Sequence, residues 1–119
     1  MHIETHEIAN TKIAEVISEE ILIQNPEEGL QLMVDLYYQD FDKIIIRAKN
    51  ITPAFFDLKT GIAGEILQKF STYKVRLVII GDFSAYPGKS LKDFIYESNK
   101  GRQVNFLESL EQALDKLSK

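Results

Sequence analysis

Hydrophobic positions along this chain change their period several times, and each change predicts an element. Residues 2–8 and 12–18 alternate polar and apolar side chains with period two, the pattern of half-buried strands. Between them Ala9-Asn10-Thr11 offers Asn10, which can enter the left-handed region of a tight turn, so the pair predicts a β-hairpin. Residues 19–24, with Ile21-Leu22-Ile23, fit either a strand extension or a covering loop. The period then becomes helical: Leu30, Met33, Val34 and Tyr37 fall at i, i+3, i+4 and i+7, giving a buried stripe that ends near Asp40. Asn25-Pro26-Glu27-Glu28 opens that helix. Asn25 can cap free amides, Pro26 sits where its missing N–H costs nothing, and Glu28 can reach back to the cap.

Two continuous apolar runs, residues 43–48 and 74–82, read as strands covered on both faces. Each is followed by a helical stripe: Ala63, Ile66, Leu67 and Phe70 after the first, and Leu91, Phe94, Ile95 and Ser98 after the second. Residues 84–89, with Pro87 and Gly88, form the longest loop signal. Ser90 is the expected cap of the second helix and Gly101 its left-handed terminator. Val104–Leu107 is the last strand. Ser109-Leu-Glu-Gln112 is a capping box ahead of a closing helix striped with Leu110, Ala113, Leu114 and Leu117. The order β-β-α-β-α-β-α-β-α predicts one α/β domain over residues 1–119. Its sheet is mixed but mostly parallel, with an N-terminal antiparallel hairpin and about four helices.

Composition narrows the function classes. A chain of 119 residues can bury one core without a staple. With no cysteine, disulfides, thiolate metal sites and cysteine catalysis are excluded, and a reducing compartment fits. Fourteen basic against eighteen acidic residues leave a formal net charge of −4, which repels phosphate backbones; Lys89, Lys92, Lys100 and Arg102 form only a loose basic set, so no nucleic-acid partner is expected. The start of the chain lacks a secretory pattern and the apolar runs are too short to span a bilayer, so the expectation is a cytoplasmic protein with no membrane partner.

Candidate chemistry concentrates in residues 55–70. Asp57 or Thr60 can cap the helix that follows, and Gly61 and Gly64 lie three apart on its first turn, where a backbone, a partner or an anion can approach. Phe55 and Phe56 in succession suggest one ring in the core and one partly exposed, which would mark an interface. Close helix–sheet packing is the simplest use of Gly61 and Gly64, and Phe55, Phe56, Phe70 and Tyr73 read most simply as core or core-edge aromatics. No nucleophile with its base, metal cage or cofactor loop is spelled out, so neither a cofactor nor a metal is expected. His2 and His6 are ~13 Å apart on an extended strand, too far to share one ion. Asp40 and Asp42 crowd one loop with no nearby base.

The Phe-x-Asp, hydroxyl, Gly-x-x-Gly run on this topology resembles the STAS domain of anti-sigma factor antagonists. In that family a Ser or Thr before the helix glycine accepts phosphate from a partner kinase, and Thr60 before Gly61 is the matching position. Asp57 is here separated from Thr60 by Leu58 and Lys59, one residue more than that pattern. The tail from Val104 to Leu114 is also similar to the family's last strand and helix. More closely, Phe55-Phe-Asp-Leu-x-Thr-Gly-x-Ala-Gly-Glu65 and Glu97-Ser-Asn-Lys-Gly-Arg102 look like an uncharacterised bacterial family of unknown function with a STAS-like fold.

The resemblance implies a non-enzymatic interaction or regulatory module, with residues 57–64, from Asp57 to Gly64, as contact surface and Thr60 as a phospho-switch. The rival reading is a small-molecule binder or enzyme at the carboxyl edge of the sheet. It would use Asp57, Asp82 and Asn99, with Asn99, Lys100 and Arg102 around Gly101 as an anion-binding group. The partner is an unidentified protein or a second copy; a homodimer through the hairpin edge or an aromatic patch is compatible with either reading.

Overall fold

Five strands hydrogen-bond in the order in which the chain makes them: β1 His2–Ile8, β2 Thr11–Ile17, β3 Lys43–Arg47, β4 Arg76–Ile80 and β5 Val104–Leu107. The computed structural model describes all 119 residues. β1 and β2 pair antiparallel across a two-residue turn, Ala9 (φ 53°) and Asn10 (φ 63°), with Ile8 opposite Thr11. Two positive φ values in succession give the turn the twist that matches the strands. The β2–β3, β3–β4 and β4–β5 pairs are all parallel. Each is bridged by one helix: α1 Pro26–Tyr37, α2 Ile62–Tyr73 or α3 Lys89–Lys100. Right-handed crossovers in a sheet laid down sequentially all fall on one face. α4, Leu110–Leu117, covers the other.

Strand side chains alternate between these faces. Ala14, Val16, Ile44, Ile46, Leu77, Ile79, Val104 and Phe106 meet α1–α3 in the main core. Ile13, Ile45, Val78 and Ile80 meet Ala113 and Leu117 of α4 in a smaller one. The predicted α/β order, the hairpin and the four helices are therefore all present. No helix is long and apolar enough to cross a membrane.

Local chemistry explains both agreements and corrections. Asn25 Oδ1 accepts from the Glu28 amide at 2.8 Å, so α1 is capped as expected, while the Glu28 carboxylate accepts from Gln24 N at 2.8 Å rather than from the cap residue itself. At α4, Ser109 Oγ accepts from Gln112 N, while the Gln112 side chain reaches the Glu108 amide rather than that of Ser109. The α1 stripe is rotated from the expected one. Pro26, Gly29, Met33 and Leu36 are buried, Leu30 and Val34 are half-buried, and Tyr37 is 55% exposed. Gly29 is the reason: a Cβ there would lie 3.4 Å from Ile66 and 3.5 Å from Ile23, so its bare backbone turns toward α2.

The helix also ends at Tyr37 instead of near Asp40, where the chain turns through a left-handed residue (Asp40, φ 71°). Ser90 does not cap α3; Gly88 holds that position and Ser90 lies within the first turn. Gly101 is extended (φ −94°, ψ −169°), not left-handed, because the chain leaves α3 directly toward β5. Tyr73 is exposed rather than a core-edge residue.

Candidate functional site

The segment between β3 and α2 is built from two successive short 3-10 turns, Pro53–Phe56 and Leu58–Thr60. Each begins with a side-chain acceptor: Thr52 Oγ1 takes the Ala54 amide at 3.4 Å, and Asp57 Oδ1 takes the Lys59 amide at 3.3 Å. Thr60 then ties the two turns together. Its hydroxyl lies 2.7 Å from the Ala54 carbonyl and 2.9 Å from that of Asp57, to which it can donate, and it accepts from Ile62 N at 3.3 Å. Thr60 thus contributes to the start of α2, but the N-cap position belongs to Gly61, whose φ of 78° favours glycine.

Asp57, Thr60, Gly61 and Gly64 are all exposed. A Cβ built at Gly61 or Gly64 would meet nothing within 4 Å, so neither glycine serves close packing, contrary to expectation. The close-packing glycine is Gly81, where a Cβ would sit 2.9 Å from that of Ala48; at Gly29 a Cβ would make ordinary contact with Ile66 and Ile23.

Phe55 and Phe56 are both buried, as core aromatics, so neither is the partly exposed ring that would mark an interface. Their burial places them in a chain of rings. Phe56 stacks on Tyr86 with centroids 4.6 Å apart, and Phe55 meets Phe56 edge-on at 4.8 Å. Phe83 meets Phe106 edge-on at 5.4 Å. These rings join the β3–α2 segment to the β4–α3 loop, and two of them, Phe56 and Tyr86, line an open cleft of about 490 Å³ at the carboxyl edge of the sheet. One wall carries Asp57, Leu58 and Lys59; the other carries Tyr86, Pro87, Gly88 and Ser90. Just beyond, Lys89 is bonded to Asp93 at 2.8 Å, and this hydrogen bond raises its pKa, keeping it cationic.

The remaining predicted residues do not converge on this cleft. Asp82 is a turn residue that accepts from Ser84 N at 3.2 Å and Ser84 Oγ at 2.6 Å. Asn99 is committed to the sheet: its carboxamide accepts from Phe106 N at 2.8 Å and donates to Phe106 O at 3.0 Å. Lys100 pairs with Glu97 and lies over the Tyr96 ring. Arg102 donates to the Lys119 carbonyl and lines a separate groove, of about 330 Å³, together with Gly64. Asn99, Lys100 and Arg102 are thus each engaged by a different partner.

One polar cluster was missed in the sequence. Glu15 of β2 is buried on the α4 side; His6 of β1 reaches Oε1 at 2.8 Å, and Arg47 of β3 donates to Oε2 at 2.7 Å. Burial pushes the Glu15 pKa up, but the hydrogen bonds and charges of His6 and Arg47 outweigh it and hold the carboxyl below its ordinary 4.5. The signal was a lone carboxylate among Ile13, Ala14, Val16 and Ile17. His2 goes to Glu4 instead, at 3.0 Å, so the two histidines serve separate carboxylates.

Residues 8–117, from the hairpin turn to the last turn of α4, match the DUF4180 family, described as a domain of unknown function. The chain belongs to that family. The match spans the helix mouth, the cleft and, of the Glu15 cluster, Glu15 and Arg47; His6 lies just ahead of it. The chain is also similar to the crystal structure of a candidate anti-sigma factor antagonist from Thermotoga maritima, with 11% identity and a TM-score of 0.46 over 98% of this chain and 95% of that one. Among curated proteins none matches this sequence.

Proposed function

We propose that this DUF4180 domain is a non-enzymatic interaction module that presents residues 57–64 to a protein partner, with Thr60 as the switch. The observation that carries the reading is Thr60, an exposed residue whose hydroxyl ties the carbonyls of Ala54 and Asp57. A phosphoryl group on that oxygen has acceptors only. Its transfer from a nucleoside triphosphate, with loss of the hydroxyl proton, would remove the donor and set about two negative charges against those two carbonyls. The two turns would come apart where Asp57, Gly61 and Gly64 offer their surface, and the neighbouring cleft floored by Phe56 and Tyr86 would change shape. The test is recovery of partners from cells with the wild type, Thr60→Ala and Thr60→Glu, each checked for folding. A partner gained or lost with the acidic variant supports the switch; three identical profiles reject it.

The rival small-molecule reading draws support from the cleft itself, whose volume falls within the usual range for ligand sites. Of the three residues assigned to it, only Asp57 lines the cleft. Amide-shift mapping with a library of small anions and nucleotides separates the two readings: saturable shifts confined to Tyr86–Ser90 and Asp57–Lys59 favour a ligand.

A further inference from the structure

The two edges of the sheet are treated differently. On β5 the outward-facing groups are taken by α3: Asn99 pairs with both the amide and the carbonyl of Phe106, and Ser98 Oγ donates to the Val104 carbonyl. On β1 nothing plays that part. The two-residue turn closes on the pair Ile8–Thr11, so the even-numbered residues of β1 bond inward to β2. The odd-numbered ones, Ile3, Thr5 and Glu7, direct their N–H and C=O groups away from the sheet. A strand seven residues long is thus open for pairing along its whole length.

We infer that this edge is occupied by β1 of a second copy of the chain, in an antiparallel pair centred on Thr5. The sequence of the strand selects both occupant and register. A two-fold axis through Thr5 pairs Thr5 with itself and Ile3 with Glu7 of the partner copy. These are the residues whose main-chain groups point outward, and roughly six main-chain hydrogen bonds result. The same register sets Glu4 opposite the partner copy's His6, and His6 opposite the partner copy's Glu4, at the closer, non-hydrogen-bonded positions where side chains interact best.

Shifting the axis by one residue toward either terminus puts Glu4 against Glu4 or His6 against His6, so like groups oppose alternative pairings. His6 uses Nε2 for Glu15, which leaves Nδ1 to meet the partner copy's Glu4. The run Arg47–Glu15–His6, with Glu15 buried at its centre, would then continue through the interface, and the two five-stranded sheets would become one. This inference concerns the edge opposite β5 and does not depend on the role of the helix mouth.

Sedimentation velocity of the wild-type chain tests it: the expected species has twice the 13.6 kDa chain mass. Thr5→Pro removes an outward N–H without touching the ladder to β2. It should weaken association by about 30-fold or more while leaving the far-ultraviolet spectrum unchanged. Glu4→Lys should weaken it several-fold, whereas Glu7→Lys, facing Ile3, should not.

Because the chain has no cysteine, Thr5→Cys introduces a single thiol that lies on the axis. Oxidation should link two copies, at a Cα separation of about 5.5 Å that a disulfide can span, and Glu7→Cys alone should not link. A wild type that stays monomeric up to about 100 μM overturns the proposal. So does a dimer that survives Thr5→Pro and fails to cross-link through the Thr5→Cys thiol.

Discussion

Asn99 treats Phe106 as a neighbouring strand would, accepting its amide hydrogen at 2.8 Å and donating to its carbonyl at 3.0 Å. A side chain of α3 thus supplies the hydrogen bonds of a sixth strand at one point of the β5 edge. Asn99→Ala leaves a partly enclosed amide and carbonyl without partners and should cost about 1–3 kcal/mol. Urea denaturation reads this directly, and a loss under about 0.5 kcal/mol would mean that water replaces the side chain at no penalty.

The Glu15 cluster makes stability depend on acid. A carboxyl whose folded pKa lies below its unfolded value contributes stability above about pH 4.5, and loses it as the pH falls through the folded value. The wild type should therefore weaken progressively below pH 4.5. Glu15→Gln should be less stable at neutral pH, by about 1–3 kcal/mol, and show a flatter acid limb. Thermal melts of both proteins across that range check the sign; parallel curves would show that Glu15 does not titrate differently on folding.

Glycine substitutions should sort by surroundings. Gly81→Ala forces a methyl to 2.9 Å from Ala48 Cβ and 3.2 Å from the Phe83 ring, a destabilisation of about 1–3 kcal/mol. Gly64→Ala, in open space on α2, should stabilise by about 0.5–1 kcal/mol through helix propensity. Opposite shifts in denaturation midpoint are the expected result.

At the helix mouth, Thr60→Val keeps the shape but removes the hydroxyl that joins the two turns. A loss of about 1 kcal/mol is expected, with faster hydrogen exchange at the amides of Thr60 and Gly61. Thr60→Ser should restore both. Unchanged exchange in the valine variant would show that the turns hold without the tie.

Much of the architecture could be read from local pattern, because strands, caps and turns here obey short-range rules. Asn25 and Ser109 cap where expected, and the β-hairpin turns at Asn10. What escaped depends on contacts distant in sequence. The α1 stripe is rotated because Gly29 faces Ile66 of α2, a neighbour that no periodicity within α1 reveals. Glu15 meets His6 and Arg47 only after three strands align. Asn99 has the composition of a helix-end residue, and only the position of β5 makes it an edge partner. At the candidate site, Gly61 and Gly64 have the spacing of packing glycines, yet the course of the chain leaves both in open space. Phe56 is covered by Tyr86 and Phe83, which arrive from the next loop, and Phe55 by Phe106 of the last strand.

The match between strand order in space and order in the chain bears on folding kinetics. Each parallel pair closes over a single intervening helix, so every strand pairs with the one made just before it and no pairing has to skip a strand. During synthesis the sheet can grow outward from the hairpin, one strand per crossover. β5 is the last strand to emerge, and Asn99, which guards its outer edge, leaves the ribosome seven residues ahead of Phe106. The final edge of the sheet is therefore already attended when it forms.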